Sequence, residues 1–325
     1  MAKLNMVKAL NLALLEEMER DPDIVIIGED VGVDGGVFRV TEGLHRRFGG
    51  RRVIDSPLAE AGIIGASVGM ALYGLKPVSE IQFSGFAFQC FHQIENHAAR
   101  YRQRSQGRFH CQMVMRMPYG GGVRALEHHS ESEEQFYAHI PGLKMVIPSG
   151  PRTARGLLVA ALRDPDPVVF FEHKGLFASK GPAAPEGHVV ELGRAAVVRD
   201  GSDVTLVGLA ATVPLALAAA DRLAGQGISA QVIDLRSLIP LDMSTVLASL
   251  RRTSRLIIVE ENPYQGGWGG TVASVVADEG FESLDAPIRR VAAACVPLPF
   301  ADALEQEVIP TTEKVVTAIR ALAAY

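Results

Sequence analysis

The sequence predicts an α/β protein with two doubly wound domains, and three observations support this fold class. Apolar runs of strand length alternate with helical spans, which is typical of parallel strands covered by helices on both faces. This alternation stops in the Gly- and Pro-rich residues 175–190 and then begins again. A chain of 325 residues also exceeds the usual size of one domain. We therefore expect a domain over residues 1–180, a linker over 181–195 and a smaller domain over 196–325.

The first half contains several apolar runs that have the length and composition of buried strands. They are Asp23–Glu29, Pro77–Phe83, Cys111–Met117, Leu143–Ile147 and Val168–Glu172. Two polar side chains, Glu29 and Gln82, stand at or near the ends of the first two runs. Ligands bind beyond the carboxyl ends of strands in doubly wound sheets, so both residues are candidate site residues.

The second half repeats the same order of elements. Strands are predicted at 204–209, 229–235, 256–259 and 288–293, and helices at 213–225, 242–251, 271–279 and after Thr312. The loop around Glu260 is expected at the carboxyl edge of this second sheet.

Between the first two long strands lies an acid in a Gly-rich helix. Ser56 and Pro57 predict the helix start, which places Glu60 at the fourth helical position. A capping box would need the acid one residue earlier, so capping does not account for it. The small residues that follow share one helix face: Gly62, Gly65, Ala66 and Gly69. Each Gly in a helix costs roughly 0.5–1 kcal/mol relative to Ala, so we expect another surface to approach this face closely.

The composition argues against several classes of protein. A formal net charge of -5 and the absence of a basic run argue against nucleic-acid binding. No apolar stretch approaches the ~18 residues of a membrane span, and the N-terminal segment lacks a signal-peptide pattern, so we expect a soluble protein of the cytoplasm. The cysteines are odd in number and widely spaced, which argues against a disulfide framework and against zinc or iron–sulfur sites. They are Cys90, Cys111 and Cys295.

Two adjacent histidines, His128 and His129, follow the Gly-rich residues 120–122 in a polar loop. Such a loop histidine either lies on the surface or takes part in proton transfer. No third ligand stands at a supporting spacing, so the pattern gives little support to metal catalysis. The sequence contains no nucleophile elbow, Walker loop or strand-linked G-x-G-x-x-G. These signals alone indicate an α/β enzyme with an acid and a histidine in candidate clefts.

A series of short motifs runs in order from about residue 3 to residue 320. They are Ile27–Val31, Gly36–Gly43, Asp55–Gly62, Glu80–Phe83, Gly120–Val123, His129–Ser132, Pro141–Lys144, Arg163–Pro167 and Phe171–Lys174. Together they resemble the beta subunit of the E1 component of 2-oxo acid dehydrogenase complexes. The pyruvate dehydrogenase type is the most similar, with the acetoin and branched-chain types as close alternatives.

The resemblance implies a transketolase-like pyrimidine-binding domain over 1–180, a transketolase-C-like domain over 196–325 and the cofactor thiamine diphosphate. Glu60 matches the family's acid that shares a proton with a ring nitrogen of the cofactor, and desolvation raises the pKa of an acid in such a role. Glu29 would lie near it and hold its protonation state by like-charge coupling. By its match to family positions, the resemblance also assigns Leu58 and Phe86 to the aminopyrimidine pocket, with Gln82 beside them. Ordinary core packing is the alternative for the two apolar members.

One family motif does not occur in this chain. The family binds the cofactor's diphosphate through a Gly-Asp-Gly sequence and a later Asn that holds Mg²⁺, and the closest string here is residues 33–36. The resemblance therefore implies an alpha subunit that supplies the Mg²⁺ and phosphate contacts, in an α2β2 heterotetramer. We expect the Gly-rich helix face to pack at such an interface.

The resemblance also extends to a second partner and an ion. It assigns His129 to acyl transfer onto the lipoyl-lysine of the E2 component, as a proton-handling or positioning group, and makes the surface after Trp268 an E2 contact candidate. It implies a structural K⁺ ion, with an ordinary turn as the alternative. The ligands would be Met113, Ala161, Leu162, Asp164 and Asp166. The chain departs from the family at residues 292–300, which lack an Asp, and at Glu131, which replaces Gln or Asp.

Two other interpretations stay open. A split transketolase or a 1-deoxyxylulose-phosphate synthase relative would share Glu60 but would not need lipoyl transfer. The His129–Ser130 pair and residues 171–174 favour the E1 interpretation, an acyl-transferring 2-oxo acid dehydrogenase active only with its alpha subunit. The other alternative is a non-catalytic scaffold for an alpha chain.

Overall fold

The computed structural model describes residues 3–325, which form two compact units. The first unit contains residues up to 119 together with 136–192, and the second contains 120–135 together with 193–325. Each unit has its own sheet and its own apolar core. None of the helices formed by residues 3–325 has the length and apolar character that crossing a membrane requires.

The first unit is built on parallel strands. Its strands are β1 Lys3–Asn5, β2 Ile24–Gly28, β3 Val53–Asp55, β4 Lys76–Glu80, β5 Val114–Tyr119, β6 Lys144–Val146, β7 Val168–His173 and β8 Lys180–Pro182. Six of them lie in the order β6-β7-β5-β4-β2-β3, all parallel. The register sets Gly28 opposite both Asp55 and Glu80, so the carboxyl ends of β2, β3 and β4 meet at one edge. The order of the strands is that of a doubly wound sheet.

Helices cover this sheet. They are α1 Met6–Arg20, α2 Leu44–Phe48, α3 Glu60–Leu72, α4 Tyr101–Arg104, α5 Glu134–Ala138 and α6 Pro151–Arg163. Asn5 caps α1 by accepting the Lys8 amide at 2.8 Å. Helix α1 packs on α6, and Arg163 pairs with the buried Glu17 across this contact at 2.6 Å.

The second unit has a five-stranded sheet in the order β14-β13-β10-β11-β9, with β9 antiparallel at one edge. Its strands are β9 Ala196–Arg199, β10 Val204–Gly208, β11 Ala230–Asp234, β12 Ser237–Ile239, β13 Leu256–Pro263 and β14 Arg289–Ala293. Its helices are α7 Thr212–Ala224, α8 Met243–Thr253, α9 Gly269–Glu279, α10 Asp302–Val308 and α11 Thr312–Ala323. Apolar residues of β10, β11 and β13 pack against α7 and α11. The fold class predicted from the sequence is confirmed.

The predicted start of α3 is wrong. The helix begins at Glu60, after an Ala59 cap whose φ of -166° is not helical, so Glu60 takes the first helical position and not the fourth. Ser56 does not cap a helix, because its hydroxyl donates to the carbonyl of Pro57 at 2.9 Å. The Ser-Pro pair therefore belongs to the loop between β3 and α3.

Residues 180–182, within the Gly- and Pro-rich stretch, form β8 and pair antiparallel with residues 3–5. The Val190 amide donates to the Gly156 carbonyl at 3.1 Å, which ties the later part of this stretch to α6. The domain and linker boundaries drawn from the sequence stay predictions.

Candidate functional site

Two carboxylates meet at the carboxyl edge of the first sheet. Glu29 follows β2 directly, and Glu60 opens α3 with only 8 % of its surface exposed. Partial burial raises the pKa of Glu29, and the negative charges of Asp30 and Glu60 raise it further. The two glutamates are thus within electrostatic range of each other.

Glu60 is also within electrostatic range of a buried thiol. Burial raises the pKa of the Cys90 thiol to about 12, and the charge of Glu60 contributes to this rise. Cys90 closes the 3-10 segment Ser84–Cys90, which packs on α3. Glu60 is therefore within electrostatic range both of the Glu29 carboxyl and of a thiol whose raised pKa keeps it protonated.

The remaining predicted pocket residues flank this pair. Gln82 donates from its Nε2 to Oδ2 of Asp30, the residue after Glu29, at 3.0 Å. Phe86, half-buried in the 3-10 segment, packs edge-on against Phe83 with ring centroids 5.5 Å apart. Leu58 is 73 % exposed, so ordinary core packing does not explain it within this chain. An exposed apolar side chain two residues before a buried acid is suited to contact with a planar heterocycle.

Sequence reasoning did not find a buried charge cluster inside the first sheet, formed by Arg116, Glu80 and Glu172. Arg116 on β5 binds Glu172 of β7 through Nε at 2.6 Å and through Nη2 at 2.8 Å, and its Nη1 donates to Glu80 of β4. Burial raises the pKa of Glu172, and the guanidinium opposes this rise. The available signal was an Arg inside an otherwise apolar strand.

The charge cluster supports the loop that carries Glu29. Gly36 has a φ of +78°, and a Cβ there would lie 2.9 Å from Oε1 of Glu80. Thr41 donates from its hydroxyl to the Val31 carbonyl at 2.8 Å, which closes the loop on itself. The loop therefore packs against the Glu80 side chain at Gly36, where both the positive φ and the close contact favour glycine.

His129 belongs to the second unit, whereas Glu60 belongs to the first. It ends the short 3-10 turn Glu127–His129, and its ring lies against that of His128 with centroids 4.5 Å apart. The segment Gly120–Gln135 groups with the second unit, although sequence order places it between two strands of the first. Sequence reasoning gave no sign of this grouping.

The residues expected to hold K⁺ do not favour a cation. Lys144 places its ammonium 2.7 Å from Asp164 and 3.2 Å from Asp166, and Arg102 lies 2.5 Å from Asp166. The other three positions offer backbone carbonyls that already accept hydrogen bonds. Met113 accepts from the Val168 amide, Ala161 from the Asp164 amide and Leu162 from the Gln112 side chain. Protein cations thus already pair with both carboxylates, and a K⁺ ion at these residues stays a prediction. Within residues 3–325, no group of three or more His, Cys, Asp or Glu side chains is arranged to hold a metal.

Comparison with known proteins covers nearly the whole chain. The family model of the transketolase pyrimidine binding domain matches residues 2–180, and that of the transketolase C-terminal domain matches 193–315. The beta subunit of 2-oxoisovalerate dehydrogenase from Bacillus subtilis is 42% identical over 100% of both chains. The pyruvate dehydrogenase E1 beta subunit of the same organism is 46% identical over 93% of this chain and 94% of its own. The corresponding Acholeplasma laidlawii subunit is 43% identical over 99% of each chain.

The chain belongs to the E1 beta family of 2-oxo acid dehydrogenases. Its two halves carry the transketolase-type domains that the sequence motifs predicted, so that prediction is confirmed. A solved structure titled as a split gene transketolase, an inactive beta4 tetramer, superposes on this E1 beta chain with a TM-score of 0.81. It is 24% identical over 99% of this chain and 98% of its own, and so supports the fold alone.

The E1 beta family implies thiamine diphosphate, and the edge of the first sheet suits one part of that cofactor. The side chains at this edge are a carboxyl shielded from water, a second carboxyl with a raised pKa, an amide and exposed apolar groups. Such a set can bind a ring that bears nitrogen atoms, since the carboxyl can share a proton with a nitrogen while apolar side chains cover the ring faces.

Proposed function

We propose that this chain is the beta subunit of the E1 component of a pyruvate dehydrogenase complex, where it works with thiamine diphosphate. The arrangement at Glu60 carries the proposal: a carboxyl shielded from water at the start of α3, within electrostatic range of Glu29. The proposal for pyruvate is also supported by 46% identity to a pyruvate dehydrogenase E1 beta subunit over 93% of this chain. The corresponding reaction is oxidative decarboxylation of a 2-oxo acid, followed by acyl transfer to lipoyl-E2.

Each proposed site residue has a defined task. When bound, thiamine diphosphate supplies the nucleophilic carbon that a 2-oxo acid needs in order to lose CO2. Glu60 would hold or share a proton at a ring nitrogen of the cofactor, and Glu29 lies beside it with a pKa raised by burial and by the charges of Asp30 and Glu60. Gln82, Leu58 and Phe86 orient the ring and exclude water from it.

The alpha subunit is proposed to complete the site by holding the diphosphate and Mg²⁺. The Gly-rich face of α3 supports this arrangement. A Cβ at Gly69 would meet nothing within 4 Å, and one at Gly65 would meet only Gln93 at 3.7 Å. Nothing within the described chain thus requires these glycines, and we propose that the alpha subunit packs on them in an α2β2 heterotetramer.

His129 is proposed to act in the transfer to E2. In that step the S–S bond of the lipoyl group breaks, one sulfur takes the acyl group and the other takes a proton. The two electrons come from the decarboxylated 2-oxo acid. His129 would deliver the proton, because a positioned imidazole can act as a general acid. A cytoplasmic location, expected from the sequence, remains part of the proposal.

Reconstitution with a purified alpha subunit tests the proposal. Reduction of an artificial acceptor should depend on both subunits, on thiamine diphosphate and on one of pyruvate, acetoin or 3-methyl-2-oxobutanoate, with pyruvate expected to be the fastest. Glu60→Ala should assemble with the alpha subunit and lose turnover. Glu313→Ala is a matched control, since Glu313 also lies in the first turn of a helix but is exposed. Unchanged turnover of Glu60→Ala would favour the scaffold interpretation.

A further inference from the structure

The segment that carries His129 is fixed on its N-terminal side by two carboxylates of the second unit. Oε1 of Glu261, in β13, accepts the Gly121 amide at 2.7 Å. Oε1 of Glu305, in α10, accepts the Gly122 amide at 2.8 Å. Hydrogen bonds from backbone amides to ionised carboxylates are among the stronger ones in proteins.

The glycine at 121 is required by this contact. A Cβ there would lie 3.1 Å from Oε1 of Glu305 and 3.3 Å from Cδ2 of Leu298, which is tighter than most Cβ contacts. The next residue, Gly122, has a φ of +84°, where side chains are strained. Successive glycines thus let both amides face the two carboxylates.

The C-terminal side of the segment is fixed by the same strand. Glu261 also accepts the hydroxyl of Ser132 at 2.9 Å, and Asn262 donates to the Ser132 carbonyl at 2.8 Å. One carboxylate oxygen therefore joins residues 121 and 132, which stand on opposite sides of His129 in the chain.

Backbone hydrogen bonds within the segment also hold it together. The amides of Ser130 and Glu131 both donate to the Glu127 carbonyl at 2.8 Å, and the Gly120 amide donates to the Glu131 carbonyl at 3.2 Å. The turn around His129 is consequently a closed unit whose two ends meet at Glu261. Movement of that carboxylate would move the whole turn.

We propose that Glu261 and Glu305 are positioning residues that set His129 for acyl transfer to the lipoyl group. Neither needs to touch the substrate, because each acts through the backbone of the turn. This inference rests on the proposed function, since it assigns the transfer step to His129. It adds that residues of the C-terminal transketolase-like domain hold the turn that carries His129.

Two assays on the reconstituted complex separate the steps. Reduction of an artificial acceptor reports decarboxylation without E2, whereas reductive acylation of a lipoyl domain reports the transfer. Glu261→Ala should lower acylation on the order of tenfold to hundredfold, as expected for a reacting group displaced by about 1 Å, and lower acceptor reduction much less. Glu261→Gln keeps an acceptor oxygen and should recover part of the acylation rate.

Two further variants guard against misfolding and nonspecific loss. Ser132→Ala removes one hydroxyl contact to Glu261 and should lower acylation in the same direction but less. Asp221→Ala changes an exposed acid of α7 in the same unit and should leave both assays unchanged. Faster hydrogen exchange at the Gly121 and Gly122 amides of Glu261→Ala would confirm that the turn is released.

The outcomes distinguish this inference from the proposed function. If the wild-type complex reduces the acceptor with none of the 2-oxo acids, the proposed function fails. If the wild type passes both assays and Glu261→Ala acylates at the wild-type rate, only the positioning role is overturned. The positioning role would also be overturned if, in both Ser132→Ala and Glu261→Ala, acceptor reduction fell as much as lipoyl acylation. A purely structural defect affects both steps.

Discussion

Arg116 binds both carboxylate oxygens of Glu172, at 2.6 and 2.8 Å, and neither side chain is exposed to solvent. The same guanidinium also donates to Glu80, whose side chain supports the loop that carries Glu29. A charge cluster inside the first sheet therefore supports the candidate site from below.

Removal of this guanidinium should be costly. Arg116→Met is expected to lower the free energy of unfolding by about 3–5 kcal/mol, because the buried carboxylates of Glu80 and Glu172 both lose the guanidinium that pairs with them. Urea unfolding followed by circular dichroism measures this. Arg102→Met is the control, since Arg102 is half-exposed and its pair with Asp166 should contribute about 1 kcal/mol or less. Equal losses in the two variants would contradict the assignment.

The contact of the loop with Glu80 can be tested with two glycines. Gly36 and Gly43 have φ values of +78° and +81°, but only Gly36 would bring a Cβ against Glu80, while Gly43 has nothing within 4 Å. Both alanine variants share the backbone strain, so Gly36→Ala should be less stable than Gly43→Ala by about 1–3 kcal/mol, the usual cost of overpacking. Thermal unfolding of both variants gives the difference. A Gly43→Ala variant as unstable as Gly36→Ala would show that strain alone matters.

Glu134 should make stability depend on pH. Burial raises its pKa to about 8, and the charges of Glu261 and Glu260 add to this, while a hydrogen bond from Asn262 opposes it. The folded protein thus keeps a proton that the unfolded chain loses above its ordinary pKa of 4.5. The free energy of unfolding is therefore expected to fall as the pH rises from about 4.5 to 8, by at most about 1.4 kcal/mol per pH unit.

A Glu134→Gln variant removes this proton exchange while keeping the shape of the side chain. Its free energy of unfolding should fall less steeply than that of the wild type across this pH range, when urea unfolding is measured at several pH values. Glu279→Gln, an exposed acid, serves as the control and should follow the wild type. Parallel curves for Glu134→Gln and the wild type would refute the raised pKa.

The exposed face of α3 predicts a defect in assembly. Gly69→Leu should leave the isolated chain folded, because a Cβ there meets nothing within 4 Å and Leu favours helix. Binding to the alpha subunit should weaken at least tenfold if that subunit packs on this face, since a bulky group prevents close approach. Sedimentation of mixed subunits measures this, with Ala277→Leu on the exposed side of α9 as the control. Normal assembly of Gly69→Leu would remove this face from the interface.

The strands of both units were predictable, because a parallel strand that is buried on both faces appears in the sequence as a short apolar run. Strands β2, β7 and β10 are examples. The start of α3 was not predictable in the same way. Ser56 and Pro57 have the chemistry of a helix start, but the chain stays extended until Ala59, so local preference gave way to the path of the loop.

The site was partly predictable. Motifs pointed to Glu29, Glu60 and Gln82, and the structure brings the first two within electrostatic range while Gln82 bonds to Asp30. The contacts of Glu261 with residues 121 and 132 could not be predicted, because they join positions about 130 residues apart that no local pattern connects. The roles of the individual site residues stay predictions.

The central claim is that the shielded carboxyl at position 60 handles a proton for the cofactor. The most direct measurement is single-turnover release of CO2 from the 2-oxo acid by the reconstituted complex saturated with thiamine diphosphate. Glu60→Gln should slow this release by about 10²–10⁴-fold, the usual contribution of a positioned acid or base, whereas Glu29→Gln should slow it less. A Glu60→Gln complex that binds the cofactor and releases CO2 at the wild-type rate would contradict the claim.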